Sequence, residues 1–190
     1  MLLTITYTKS YFSGYHSYYW GAVNESSIII DDSGNNSQDK RQEVPTDLID
    51  LSSFSFLDIK SDTVIIHSEK PFIFIETWNE NCYPCKIAIK ELIPVLDSMN
   101  NKIESYFIYE NKKFDRNVFV QSTMNIKELS SQNVLADYNQ EFFTSMKMTA
   151  YPTFFMIDNE KGKIIYMSIG YGGKSSREMW IKKLKEISKM

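Results

Sequence analysis

The chain has 190 residues, 43% of them apolar or aromatic and 24% charged, with a formal net charge of -3. Such a length and composition allow one substantial hydrophobic core with some decoration. They give no basic footprint for a nucleic acid, and no stretch approaches the ~18 apolar residues of a membrane span.

In residues 1–10, Leu3, Ile5 and Tyr7 alternate with Thr4, Thr6 and Thr8, which predicts a strand and shows no basic-then-apolar export signal. Residues 11–20 crowd Tyr11, Phe12, Tyr15, Tyr18, Tyr19 and Trp20 among Ser and Gly. Aromatics favour strands, so a strand pair packing on the domain is the first reading and a sticky surface for a peptide or glycan the second. Residues 23–30 read as a further short strand. Residues 31–43 contain no apolar side chain, cannot bury anything and are expected to form an exposed, mobile loop. The chain therefore divides into an amino-terminal extension, 1–45, and a main domain, 46–190.

The main domain opens with a strand pair, 54–59 and 63–67, around Lys60-Ser61-Asp62. His67 alternates with apolar neighbours and is expected at the surface or strand end. Pro71 then starts an apolar run, Phe72-Ile73-Phe74-Ile75, that reads as a buried strand. A polar turn leads to Cys82-Tyr83-Pro84-Cys85, where a helical pattern begins; its apolar stripe runs through Ile87, Ala88, Leu92, Val95, Leu96 and Met99 over 86–99, with a kink expected at Pro94. Residues 103–109 are the next strand, far enough on for a crossover helix to make a parallel pair. Residues 111–140 are expected to be an insertion with one or two helices, near 118–121 and 126–135. Phe142, Phe143 and Met146 suggest a short helix. Residues 153–157 and 163–169 form a hairpin through Asp158-Asn159-Glu160-Lys161-Gly162. The last element is a helix with a Ser175/Glu178 capping box, an apolar face of Trp180, Ile181, Leu184 and Ile187, and lysines read as its solvated side.

Cys82 and Cys85 are the only cysteines. Three positions apart at a helix start, their sulfurs fall within one turn and can form and break a disulfide without rebuilding the backbone. The unpaired N–H groups and partial positive charge of that turn favour a thiolate on Cys82. A free thiol titrates near ~8.5 and nucleophiles of such pairs near ~7, about 2 kcal/mol in favour of the thiolate. Cys85, one turn deeper, would resolve the mixed disulfide formed by Cys82, and Pro84 suits the first turn. As a metal site the pair is only half a set: a second pair is absent, and His16 and His67 stand at no ligand-like spacing. Two neighbouring but unrelated buried cysteines are the remaining bland reading. Asn79 stands where a peroxide-reducing cysteine motif would need Thr.

The segment resembles the active-site region of thioredoxin-fold disulfide oxidoreductases, of the TlpA-like or redoxin type. Trp78, four before Cys82, matches the family tryptophan, and Glu76 falls where thioredoxin keeps a buried acid that exchanges protons with the second cysteine. Tyr151-Pro152-Thr153 resembles the cis-proline loop, and Gly170 a family glycine. The resemblance implies an α/β fold with a central mixed sheet flanked by helices, here with a strand-rich extension. It implies thiol-disulfide exchange, reductive by family habit, on protein or peptide disulfides, with Cys82, Cys85 and Glu76 catalytic and Trp78, Tyr83, Tyr151 and Pro152 facing substrate. It implies no cofactor beyond the redox-active disulfide, an external redox partner, and a bacterial envelope setting for which no export signal is visible. A thioredoxin-fold binding module with a redox-sensing dithiol is the alternative. Copper delivery would require Cys-x-x-x-Cys and a histidine.

Overall fold

A computed structural model describes residues 48–187 and 189. The strands, aromatic segment and polar loop expected within 1–45, and the boundary that follows them, lie outside the described residues. The strands are β1 (Phe56–Leu57), β2 (Thr63–Val64), β3 (Phe72–Trp78), β4 (Ile103–Tyr109), β5 (Asn133–Ala136), β6 (Thr153–Asp158) and β7 (Lys163–Ile169). The helices are α1 (Tyr83–Asp97), α2 (Arg116–Met124), α3 (Glu141–Ser145) and α4 (Lys174–Ile187). One seven-stranded mixed sheet holds the strands in the order β2-β1-β5-β4-β3-β6-β7.

β3 is the central element, and every one of its residues is buried because both faces of the sheet are covered. Phe72, Phe74 and Trp78 join the cluster built with α1, α2 and α4, while Ile73 and Ile75 join Phe142 of α3 on the other face. The parallel ladder with β4 pairs Phe72 with Ile103 and Trp78 with Tyr109, α1 being the crossover. The antiparallel ladder with β6 pairs Thr77 with Thr153. Trp180 of α4 packs on Phe74, Phe154 and Tyr166, with ring centroids 5.5, 5.1 and 5.1 Å away, and has no exposed surface. Truncating such a ring costs roughly 3–5 kcal/mol.

The hairpin between β6 and β7 follows its turn chemistry. The Lys161 N–H donates to Asp158 Oδ1 at 3.1 Å, and Gly162 takes φ +57°. A Cβ on Gly162 would stand 3.2 Å from the Ile49 carbonyl oxygen, and the Gly162 carbonyl accepts from the Ile49 N–H at 2.7 Å. Glycine is therefore required there by both conformation and space.

Several elements differ from expectation. The opening strand pair is antiparallel but shorter, Phe56 with Val64 and Leu57 with Thr63. α1 starts at Tyr83 because Cys82 itself is the N-cap, and it continues past Pro94 to Asp97. The second helix expected at 126–135 is a short 3-10 turn, Lys127–Ser131, followed by β5. β5 pairs in parallel with β4, sending Val134 and Ala136 to one face and Leu135 to the other. The stretch before the proline loop is thus a crossover that adds a strand to the sheet. α4 begins at Lys174, so Ser175 lies inside its first turn, and it is Ser176 Oγ that accepts the Gly172 N–H at 2.8 Å. Trp180, Leu184 and Ile187 are buried as expected; Ile181 is half-buried.

Candidate active site

The site gathers where β3 ends and α1 begins. Cys82 and Cys85 are joined as a disulfide, their Cα atoms 5.3 Å apart. Cys82 has extended backbone at the N-cap, and its Sγ accepts the Cys85 N–H at 3.2 Å, so one unpaired donor of the first turn is directed at sulfur. Pro84 takes the second helical position, where its missing N–H removes nothing from the helix. Cys82 keeps 9% of its surface exposed and Cys85 none, with Cys85 Sγ 3.8 Å from the Thr77 carbonyl oxygen. Tyr83, between them, is 56% exposed.

Glu76 lies in β3 between Phe107 and Phe154 of its neighbours, on the sheet face that also buries Cys85. It has no exposed surface, and neither carboxyl oxygen has a hydrogen-bond partner among the described residues. Desolvation holds its pKa well above the usual carboxylate range. Trp78 is also fully buried, edge to face with Tyr109 at 5.2 Å. The ring expected to face substrate thus has no exposed surface and sits in the core cluster with Cys82 and Cys85.

The Tyr151–Pro152 peptide bond is cis. Thr153 donates its N–H to Thr77 Oγ1 at 3.0 Å and its carbonyl accepts from the same hydroxyl at 3.2 Å, which locks the loop to the end of β3. The Pro152 carbonyl accepts the Gly170 N–H at 2.7 Å, and Gly170 has φ +84°, a conformation that favours glycine. Tyr151 is half-buried and stacks on Phe143 at 5.7 Å.

Other residues at this end of the sheet were not singled out from the sequence. Glu80 accepts from Tyr109 Oη at 2.7 Å, Asn111 Nδ2 at 2.8 Å and Asn81 Nδ2 at 3.1 Å, tying the turn before Cys82 to the end of β4. Glu110 is buried, with its pKa pushed up to about 7 by desolvation and then by the charge of Asp137. Asp137 is buried too, and its carboxylate accepts the Phe142 and Phe143 N–H groups at 3.4 and 2.8 Å. Only the position of Glu80, two before Cys82, could have drawn attention in the sequence. His67 is exposed. Among the described residues there is no group of three or more His, Cys, Asp or Glu that could hold a metal ion, and no helix is long and apolar enough to cross a membrane.

No protein-family model and no curated protein matches the chain. Solved structures do. A thioredoxin-like protein from Porphyromonas gingivalis is 23% identical, with a TM-score of 0.57 over 73% of this chain and 92% of its own. StoA from Bacillus subtilis is 17% identical, with a TM-score of 0.54 over 68% of this chain and 93% of its own. A secreted Mycobacterium tuberculosis disulfide oxidoreductase homologous to Escherichia coli DsbE is 13% identical, with a TM-score of 0.58 over 70% of this chain and 95% of its own.

Proposed function

From the thioredoxin-like fold that this chain adopts, we propose that it is a thiol-disulfide oxidoreductase that reduces protein or peptide disulfides through Cys82 and Cys85. The observation that carries this reading is the asymmetry of the pair: one sulfur at a helix N-cap and partly exposed, the other fully buried on the face that holds an unpartnered Glu76.

In the reducing direction, Cys82 thiolate attacks one sulfur of a partner disulfide. The partner's S–S bond breaks, a mixed disulfide forms, and the departing partner thiolate takes a proton. Cys85 then gives its proton to the Glu76 carboxylate and attacks Cys82 Sγ. The mixed disulfide breaks, and the second partner sulfur leaves and is protonated. Two electrons pass to the partner, and the chain is left with the Cys82–Cys85 bond, which an external dithiol must reduce. A buried acid with a raised pKa suits this role, because burial makes its carboxylate a stronger proton acceptor than an ordinary one. Tyr83 and the Tyr151-Pro152 loop supply the surface for partner backbone, and Trp78 braces the turn.

The test is the redox equilibrium of the pair against glutathione and dithiothreitol, read by mass spectrometry, together with turnover of a disulfide substrate. Cys82→Ser is expected to abolish exchange and Cys85→Ser to accumulate mixed disulfides. Full activity in Cys82→Ser would end the mechanism, and a dithiol that cycles without accelerating any exchange would make the chain a redox-sensing binding module.

A further inference from the structure

A groove of about 630 Å³ begins at Tyr83, beside the disulfide, and runs along α1 and the start of α4. Lys86, Lys90 and Arg177 line it, all exposed, and none of the three enters a salt bridge among the described residues. Its one lining carboxylate, Glu91, already accepts the Tyr171 hydroxyl at 2.7 Å. Between the cations, Ile87 and Val95 form a half-buried apolar floor packed on the core.

These cations are placed against the preferences of the helix that carries them. Lys86 and Lys90 are a like-charge pair one turn apart, which disfavours a helix. Lys86 also stands close to the positive end of α1, whose first turn has no acidic residue. On α4, by contrast, Lys174 faces Glu178 and Lys183 faces Glu186. A local rule broken beside a reactive group is the pattern that functional surfaces show.

Building on the oxidoreductase reading, we propose that this groove docks the segment flanking the partner's cysteine, and that it selects an extended peptide whose carboxylates lie on the α1 and α4 side.

The experiment uses three cysteine peptides that differ only in flanking residues (Asp, Gln or Lys), each linked by a disulfide to thionitrobenzoate. The reduced full chain attacks the peptide sulfur and releases the coloured thiolate, which is followed at low and high salt. The acidic peptide is expected to react about tenfold faster than the basic one at low salt, with the gap closing at high salt. Lys90→Glu/Arg177→Glu should reverse the order of the acidic and basic peptides. Equal rates for all three peptides would overturn the docking proposal while leaving the oxidoreductase reading intact. A variant slowed equally towards all three would also overturn it, because the cations would then act on the Cys82 thiolate alone. If no peptide releases the chromophore, both readings fall together.

Discussion

Glu76 and Asp137 are both buried carboxyls of one sheet, and their surroundings treat them in opposite ways. Asp137 follows β5 and turns its oxygens to the N–H groups of Phe142 and Phe143 in α3, which partly offset the upward pressure of burial on its pKa. Glu76, in the middle of β3, receives no such donor, and desolvation acts on it unopposed. A carboxyl fixed by backbone donors belongs to the scaffold, because those donors would otherwise be orphans. One buried without donors lowers stability whenever it ionises, and on the sheet face that buries Cys85 it suits the proton transfer proposed above.

The largest effect that would test this contrast is on exchange. Glu76→Gln removes the proposed proton acceptor for Cys85 and is expected to slow disulfide exchange at neutral pH on the order of 10²-fold. An unchanged rate would remove Glu76 from the mechanism. The same substitution should raise stability. A carboxyl whose folded pKa lies above its unfolded value contributes most to stability below the unfolded value and loses that contribution as pH rises towards the folded one. The gain in melting temperature from Glu76→Gln should therefore be larger at pH 7 than at pH 4.

Asp137→Ala should act the other way, costing about 1–2 kcal/mol in urea denaturation by leaving the start of α3 without its acceptor, with exchange unaffected. Loss of exchange without loss of stability would break the comparison. The smallest effect is expected at Glu110, whose pKa of about 7 also lies above the ordinary value. Wild-type stability should fall between about pH 4.5 and 7 on this account, and Glu110→Gln should flatten that slope in melts taken across the range.

The sequence made the strand, turn and dithiol legible because each is written locally: Pro71 before an apolar run, Pro84 in a first helical turn, two cysteines one turn apart. The β6–β7 hairpin was legible for the same reason, through Asp158 to Gly162. β5 was not, since its four residues are too short to show alternation and Ile126, Leu129 and Val134, at i, i+3 and i+8, also fit a helical spacing; only the ladder with β4 decides. The Ser175/Glu178 pattern spelled a cap that the Gly172 N–H bypasses by bonding Ser176. Glu76 could be placed by its distance from Cys82. Asp137 and Glu110 could not, because what buries them comes from elements remote in the chain.

The unequal depth of the two sulfurs has a consequence in counting. Once the bond between them is reduced, a small alkylating reagent is expected to reach Cys82, while Cys85, with no exposed surface, is shielded. Chemically the folded chain should then behave as a monothiol. It should take up one label per molecule under native conditions and two after denaturation, so stoichiometry alone reports whether the interior has opened.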